Sequence, residues 1–265
     1  MTERYAVIGH PVAHSKSPWI HAEFARATGQ DIEYRRVEAP LDGFARAVEE
    51  FRAAGGKGLN VTLPFKGEAF RYCGEASGRA RAAEAVNTLT FGRATVGDNT
   101  DGVGLVRDLA QNLHFDLRSS RALLMGAGGA ARGVIGALRE AGVAQLVIAN
   151  RTADKARVLA ARFPGVRGCG YEELGAESFG LLINATSAGL VEAAPPVPAS
   201  AFGRGALAYD MVYGRDTPFL SAARAAGART CDGLGMLVEQ AAESFFVWRG
   251  VRPQTAPVLR KLRGG

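Results

Sequence analysis

The chain has 265 residues, of which 47% are apolar and 22% are charged, an ordinary composition for a globular protein that buries a sizeable core. Its formal net charge is +6, but lysine and arginine are scattered, without the basic runs or basic–aromatic interleaving typical of nucleic-acid-binding proteins. This charge pattern predicts small anionic partners, such as phosphates and carboxylates, and no nucleic-acid partner.

The first half of the chain alternates short apolar runs with amphipathic, helix-like segments. We predict strands at Tyr5–Gly9, Ile32–Val37, Leu59–Leu63 and Val86–Phe91, and helices at Trp19–Thr28 and Leu41–Gly55. Such alternation is typical of a parallel sheet with helices on its faces, so it predicts an α/β domain.

A second series of the same kind begins at Arg121. Strands are predicted at Arg121–Met125, Gln145–Asn150, Leu181–Ala185 and Ala206–Met211. The proline-rich stretch 191–200 is predicted to be a loop, because proline does not fit a central strand. The helix-like segment Asp101–Leu113 is the expected boundary between the two halves.

A glycine-rich turn follows the first strand of the second half. Gly126 to Ala131 fit the pattern G-x-G-x-x-[G/A], directly after an apolar run and directly before a helix-like segment. In that context Gly126 permits a tight turn, and Gly128 lets backbone amides approach a pyrophosphate at the helix N-terminus. We therefore predict a dinucleotide site on Gly126, Ala127, Gly128, Gly129 and Ala130.

The end of the next strand indicates which dinucleotide is bound. Enzymes that use NAD usually carry an acidic residue there, whose carboxylate binds the ribose hydroxyls. Here the strand ends in Asn150, Arg151 and Thr152, with Lys155 just beyond. A guanidinium pairs with a 2′-phosphate that a carboxylate would repel, so we predict NADP as the cofactor.

Several polar residues of the first half are typical of turns or helix caps when each is taken alone. They are Ser15, Ser17, Asn60, Thr62, Lys66, Asn87, Asn99 and Asp101. His14 and His21 lie seven residues apart, but no third ligand has suitable spacing, so we predict no metal site.

Taken together, these stretches closely resemble the shikimate dehydrogenase family over nearly the whole chain. The matching stretches, in family order, are GHPVAHSKSP, NVTLPFK, AVNT, DNTDGVG, GAGGAARGV, NRT, NATSAG, YDMVY and DGLGMLVEQAAESF. The resemblance implies an NADP-dependent oxidoreductase that reversibly reduces 3-dehydroshikimate to shikimate, in the chorismate pathway to the aromatic amino acids.

The resemblance also implies a domain organisation. An N-terminal three-layer α/β substrate domain would accompany a Rossmann-like NADP-binding domain, with the active site in the cleft between them. The substrate domain would be discontinuous, formed by residues 1–101 and 238–265, and the NADP-binding domain would comprise residues 102–237.

Roles are carried over from the family residue by residue. Lys66 and Asp101 would be the catalytic pair, and Ser15 and Ser17 would hold the substrate carboxylate, with Tyr213 nearby. The residues that read the ring hydroxyls would be Thr62, Asn87, Asp101 and Gln240. On the cofactor side, Gly126 to Ala130 would cradle the diphosphate, and the residues bordering the nicotinamide would be Met211 and Gly233.

The C-terminal segment gives an independent test of the role of Gln240. The apolar residues that recur there at helical spacing are Leu234, Leu237, Val238, Ala241 and Phe245. Gln240 lies roughly 60° beyond the edge of this stripe at ~3.6 residues per turn, so it is predicted at the boundary of the buried face.

Two positions depart from the family pattern. Gly78 and Glu84 stand where the family usually carries an acidic residue and a glycine. Neither touches the catalytic pair, so the departures bear on turnover or cofactor affinity. Alternatives left open are a quinate/shikimate or aminoshikimate dehydrogenase, a non-catalytic NADP-binding regulator and, more distantly, a folate-linked dehydrogenase.

Cys73, Cys169 and Cys231 are widely spaced and form no C-x-x-C pair, which argues against a disulfide framework and against a thiolate zinc site. The N-terminus lacks the apolar stretch of a signal peptide, and no run approaches the ~20 apolar residues of a membrane span. We predict a cytoplasmic monomer or homodimer with no membrane partner.

Overall fold

The computed structural model describes residues 2–186 and 194–264. The end of the NATSAG stretch and the start of the predicted proline-rich loop lie outside the described residues. The chain forms two compact units, one of Met1–Leu105 with Leu237–Gly265 and the other of Val106–Met236. No helix among the described residues is both long enough and apolar enough to span a membrane.

The first unit contains a six-stranded sheet. Its strands are β1 (Glu3–Gly9), β2 (Ile32–Glu38), β3 (Gly56–Val61), β4 (Glu75–Ala76), β5 (Thr88–Phe91) and β6 (Thr95–Asp98). Its helices are α1 (Ser17–Thr28), α2 (Phe44–Ala53), α3 (Lys66–Tyr72), α4 (Gly78–Ala83), α5 (Asp101–Arg107), α9 (Leu234–Arg249) and α10 (Ala256–Gly264), and the chain changes units within α5 and within α9.

The strand order in this sheet is β2-β1-β3-β5-β6-β4. The parallel pairing expected for the first half is present between β1 and β2, β1 and β3, and β4 and β6. The pairs β3–β5 and β5–β6 are antiparallel, so the sheet is mixed. The short β5–β6 hairpin needs no crossover helix, which explains why helix–strand alternation stops there.

Side chains of the central strands alternate between two faces, as strand geometry requires. Ala6, Ile8 and Leu59 pack with the apolar residues of α2 in one core cluster. On the opposite face, Tyr5 stacks on Trp248 of α9, with ring centroids 4.6 Å apart. The sheet is therefore covered on both faces, which gives the first unit three layers.

The second unit contains a sheet in which every pair is parallel. Its strands are β7 (Arg121–Met125), β8 (Gln145–Ala149), β9 (Val166–Cys169), β10 (Phe179–Asn184), β11 (Phe202–Asp210) and β12 (Arg229–Cys231). The helices are α6 (Gly129–Glu140), α7 (Ala153–Ala160) and α8 (Pro218–Ala225), with 3-10 turns at Glu172–Leu174 and Ala199–Ala201.

The strand order β12-β11-β10-β7-β8-β9 is that of a doubly wound dinucleotide-binding sheet. The strand order reverses at β7, whose neighbours are β8 and β10. Met125 at the end of β7 pairs with Ala149 of β8 and with Asn184 of β10. The glycine-rich turn thus leaves the sheet at the switch point, where such folds bind their ligands.

Some element boundaries differ from the predicted ones. Strand β3 ends at Val61, so Thr62 and Leu63 lie in the turn that leads to α3. Val86 and Asn87 precede β5. The predicted helix from Asp101 becomes a π-helix at Asp108–Asn112. Hydrogen bonds between asparagine side chains and the backbone, described below, hold the segments before β5 and before α5.

The π-helix places a buried carboxylate in the second unit. Asp108 and Tyr209 are fully buried, and the Tyr209 hydroxyl donates a hydrogen bond of 2.6 Å to Asp108 Oδ2. The same hydroxyl accepts a bond from the Met236 amide at 3.3 Å. A Cβ on Gly235 would lie 1.9 Å from Asp108 Oδ1, so only glycine fits there. Both segments where the chain enters and leaves the second unit are held by this pair.

Tyr209→Phe should destabilise the second unit by about 1–3 kcal/mol, because it leaves the Asp108 carboxylate buried without this donor. Differential scanning calorimetry would measure the loss. Tyr72→Phe removes an exposed hydroxyl bond to Glu49 and is the matched control, with little change expected. Equal stability of the two variants would contradict a structural role for the Asp108–Tyr209 bond.

Candidate active site

Lys66 and Asp101 form an ion pair in the first unit. Lys66 is the first residue of α3, and Asp101 is the first residue of α5. The Lys66 Nζ atom lies 2.5 Å from Asp101 Oδ2, and the two side chains are only 17% and 6% exposed. A lysine held this deeply by a carboxylate differs from the usual solvated lysine, and it presents an ammonium of fixed position.

Hydrogen bonds to backbone groups bring these two helix starts together. The Val86 amide donates to the Lys66 carbonyl at 2.9 Å, which joins α3 to the AVNT stretch. Asn99 donates from its side chain to the Ala85 carbonyl at 2.9 Å and accepts from the Asp101 amide at 3.1 Å. The asparagines predicted from their turn propensity thus hold the two irregular segments in register.

Asn87 connects the ion pair to α9. Its Nδ2 atom donates to Asp101 Oδ1 at 2.9 Å and lies 3.3 Å from Gln240 Oε1. Its Oδ1 atom accepts from the Thr100 amide at 2.9 Å. The structure therefore groups Lys66, Asp101, Asn87 and Gln240, an arrangement of donors and acceptors suited to a ligand with several hydroxyls.

A buried cluster of polar side chains packs against Asn87. Ser244 of α9 lies 2.8 Å from the Thr88 hydroxyl and accepts a 2.9 Å bond from Asn60 Nδ2. Asn60 Oδ1 accepts from the Tyr34 hydroxyl at 2.8 Å. Sequence reasoning missed Ser244, Thr88 and Tyr34. The available signal was the spacing of Ser244, four residues after Gln240 and therefore on the same helix face.

The helix that carries Gln240 is buried more widely than the predicted stripe. Val238, Ala241 and Phe245 are fully buried as predicted, but Leu237 is only half-buried. Polar residues that the pattern did not place inside are also buried, namely Glu239, Glu243 and Ser244. Gln240 itself is half-buried, and its Nε2 atom donates to the Leu237 carbonyl at 2.8 Å.

Ser15 lies in the turn before α1, Ser17 is the first residue of α1, and both are buried. The Ser17 amide donates to Ser15 Oγ at 3.3 Å, which leaves the hydroxyl proton of Ser15 free to donate. Thr62 follows β3 and is half-buried. Its methyl group would lie 2.4 Å from a Cβ on Gly9, so the glycine that ends β1 makes room for it.

The two histidines of the HSKSPWIH stretch lie in different surroundings. His14 is exposed, whereas His21 is fully buried and stacks on Tyr34 with ring centroids 4.1 Å apart. Neither ring nitrogen of His21 has a hydrogen-bond partner among the described residues. Burial lowers the pKa of His21 to about 3, against a smaller opposing effect of Asn60, so the ring is neutral. The described residues contain no cluster of potential metal ligands.

The glycine-rich turn of the second unit has the shape of a phosphate cradle. Gly126 has a φ of 109°, and a Cβ there would lie 3.2 Å from the Ala185 carbonyl oxygen. Gly128 is the N-cap of α6, and neither Gly128 nor Gly129 has an atom within 4 Å of a Cβ position. This open space beside the helix N-terminus, with Ala127 and Ala130 as small neighbours, fits a dinucleotide diphosphate.

Two exposed cations follow β8, and the carboxylate near them is already paired. Arg151 and Lys155 are exposed, and Asp154 is paired with Arg157 at 2.8 Å. Asn150 donates from its side chain to the Thr152 carbonyl at 2.9 Å. Thr152 occupies the N-cap of α7 but makes no side-chain cap bond, so its hydroxyl is available to a ligand. The arrangement suits a 2′-phosphate.

The remaining predicted residues of the second unit follow β11 and β12. The Met211 amide donates to the Asn184 carbonyl at 3.0 Å, and both Met211 and Tyr213 are half-buried. A Cβ on Gly233 would lie 2.3 Å from the Met211 carbonyl oxygen. Glycine at 233 is therefore required for the close approach of these two segments.

Known domain families match three stretches of the chain. Residues 7–89 match the shikimate dehydrogenase substrate binding domain, residues 108–191 match shikimate / quinate 5-dehydrogenase, and residues 233–263 match the shikimate 5′-dehydrogenase C-terminal domain. A Methylobacillus flagellatus protein named shikimate dehydrogenase (NADP(+)) is 57% identical over 267 residues, covering 98% of this chain and 99% of that protein. The chain belongs to the shikimate dehydrogenase family.

Similar solved structures agree with this result. The Ael1 enzyme from Pseudomonas putida is 49% identical, with a TM-score of 0.94 and 98% of each chain covered. The shikimate 5-dehydrogenase of Thermus thermophilus, solved in complex with NADP(H) and shikimate, is 38% identical, with a TM-score of 0.89 and 99% of each chain covered. The predicted family and the predicted two-domain α/β fold are confirmed.

The structure gives a physical meaning to the two departures from the family pattern. Glu84 is the C-cap of α4 with a φ of 46°, a left-handed conformation that favours glycine. Gly78 is the first residue of α4, and no atom lies within 4 Å of a Cβ there, so an acidic side chain would fit. The two departures lie at opposite ends of one short helix.

His21→Phe should alter how the stability of the first unit depends on pH. In the unfolded chain a histidine binds a proton near pH 6.5, whereas buried His21 does so only near pH 3. Stability is therefore present above pH 6.5 and is lost as the pH falls towards 3. Between pH 7 and pH 5, the unmodified chain should lose about 2 kcal/mol of its free energy of unfolding because of His21. The His21→Phe variant should not show this loss.

Urea unfolding followed by tryptophan fluorescence would measure this difference, since both tryptophans, Trp19 and Trp248, belong to the first unit. His14→Gln, which changes an exposed histidine of the same stretch, is the control and should leave the pH profile unchanged. Parallel profiles for the unmodified chain and His21→Phe would contradict the burial of a neutral ring.

Proposed function

We propose that this chain catalyses the reversible NADP-dependent reduction of 3-dehydroshikimate to shikimate, with Lys66 and Asp101 as its acid–base pair. The reaction and the cofactor are those in the names of its relatives, which are 57% identical over almost the full chain. The observation that carries the roles of the two residues is the partly buried ion pair of 2.5 Å, joined through Asn87 to Gln240.

The ion pair has the chemistry that ketone reduction needs. When bound, NADPH supplies the hydride, and the carbonyl oxygen of the substrate gains negative charge. The Lys66 ammonium stabilises that charge and donates the proton, and in the reverse direction the amine takes the proton back. Asp101 holds Lys66 in place and accepts a hydrogen bond from a ring hydroxyl.

The rest of the site is assigned to substrate and cofactor by unit. In the first unit, Ser15 and Ser17 would hold the carboxylate, and the residues for the ring hydroxyls would be Thr62, Asn87, Asp101 and Gln240. Tyr213 is a further substrate-binding residue under this proposal. The proposed cofactor residues are Gly126, Ala127, Gly128, Gly129, Ala130, Asn150, Arg151, Thr152, Lys155, Met211 and Gly233.

This assignment makes residues 1–101 with 238–265 the substrate domain and residues 102–237 the NADP-binding domain. The compact units, divided after Leu105 and after Met236, support boundaries close to these. The cytoplasmic location and the monomeric or homodimeric state stay predictions.

The reaction is tested by following the absorbance of NADPH with purified protein, shikimate and either NADP⁺ or NAD⁺. We expect rapid reduction of NADP⁺ and slow reduction of NAD⁺, because Arg151 and Lys155 are exposed cations after β8 and the acidic residue between them, Asp154, is paired with Arg157. Turnover of quinate or aminoshikimate but not shikimate would favour a related dehydrogenase. NADPH binding without turnover of any of them would favour a regulator.

Lys66→Ala should lower the turnover number by about 10²–10⁴-fold, because the variant has no group to donate the proton. NADPH affinity, measured by fluorescence, should change little, since Lys66 and the glycine-rich turn belong to different units. Lys57→Ala, which removes an exposed lysine of β3, is the control and should turn over normally. Near-normal turnover by Lys66→Ala would remove Lys66 from the mechanism.

A further inference from the structure

Arg36 lies on β2 and contacts the turn that carries the two serines. Its Nε and Nη2 atoms both donate to the Ser15 carbonyl oxygen, at 3.1 and 2.5 Å. Two donors from one planar guanidinium on a single oxygen fix the peptide unit that follows Ser15. No motif of the sequence analysis included Arg36.

The charge of Arg36 is not neutralised by its surroundings. No carboxylate of a described residue lies within ion-pair distance of it, and its other three N–H groups bond to no described residue. The nearest acidic residues along the strand have other partners, since Glu38 lies 3.5 Å from His10 Nδ1 and Glu33 lies 3.6 Å from Arg4 Nε. Arg36 is exposed, so its positive charge is adjacent to the serines and open to solvent.

The side chains proposed to bind the substrate carboxylate here are neutral, and the cation between them in the sequence, Lys16, is exposed. Two neutral hydroxyls, those of Ser15 and Ser17, would bind an anionic carboxylate. Since Ser15 Oγ already accepts from the Ser17 amide, the direction of its free proton depends on the position of the Ser15 backbone. That position is what Arg36 fixes.

We propose that Arg36 is a positioning and specificity-determining residue, which makes the serine turn selective for ring substrates that carry a carboxylate. The inference rests on the proposed function. Arg36 acts through Ser15, whose hydroxyl it orients, and through its own charge, which raises the local concentration of anionic substrates. Its removal therefore weakens binding of the carboxylate and leaves the proton-transfer step intact.

The test compares Arg36→Gln, Arg36→Lys and Arg35→Gln with the unmodified chain. Arg35 is the matched control, because it is also an exposed arginine of β2 but lies on the opposite face, with its guanidinium 5.3 Å from the Phe51 ring. KM and kcat are measured with NADP⁺ for shikimate and for its uncharged methyl ester, at low and high salt.

For Arg36→Gln we expect KM for shikimate to rise about fivefold at low salt, with kcat within about twofold. The rise should shrink at high salt, because the Debye length falls to about 3 Å at 1 M. Arg36→Lys keeps the charge and should recover part of the loss. KM for the ester should be the same in the unmodified chain and in Arg36→Gln.

An Arg36→Gln chain that behaves like Arg35→Gln, or an equal rise in KM for the ester, would overturn the inference and leave the proposed function in place. If Arg36→Gln does not fold, the Arg36→Lys variant tests the inference instead. A normal KM for shikimate at low salt, with a salt dependence equal to that of Arg35→Gln, would then reject the positioning role of Arg36. Absence of shikimate turnover by the unmodified chain would overturn the proposed function and this inference with it.

Discussion

The ion pair between Lys66 and Asp101 is the interaction on which the polar interior of the first unit depends. Two charges with side chains 17% and 6% exposed have lost most of their hydration, and their attraction compensates only if the remaining lone pairs are also bonded. Asn87 bonds the second carboxylate oxygen of Asp101, and the N-terminus of α5 adds partial positive charge. Removing either partner would leave the other charge uncompensated.

The need to hold Asn87 extends the network into the core. Its amide oxygen and nitrogen are both committed, and Thr88, Thr100, Ser244 and Asn60 pack beneath it with hydrogen bonds of 2.8–3.2 Å among themselves. One contributor, Ser244, comes from α9, which reaches the unit only after the whole second unit has been completed along the chain. A partly satisfied buried network is costly, so α9 is a structural requirement of the ion pair as well as a cover for the sheet.

Sequence reasoning located the parts whose signal is local. The glycine-rich turn, the cations after β8 and the polar turns around Lys66 and Asp101 all follow from residue type and short spacing. It did less well where distant segments decide the outcome. The antiparallel direction of the β5–β6 pair depends on how the two strands are aligned in the sheet. The π-helix at Asp108 is stabilised by Tyr209, about 100 residues away. Helix α9 buries Ser244 and Glu239 because neighbours surround it on almost every side. A single-stripe pattern cannot show this, since it assumes one buried face.

The less exposed a cation of the proposed site is, the more it needs a carboxylate partner, because desolvating an unpaired charge is costly. The largely shielded Lys66 side chain has a carboxylate partner at 2.5 Å, whereas Arg36, Arg151 and Lys155 are exposed and need none. An exposed cation beside neutral donors attracts an anionic ligand at little cost, because it keeps most of its hydration until the ligand arrives. A substrate with a carboxylate and a cofactor with a phosphate both match this arrangement. Under the proposed function, the Lys66 ammonium would then serve the substrate carbonyl oxygen, whose negative charge appears only as the hydride is transferred.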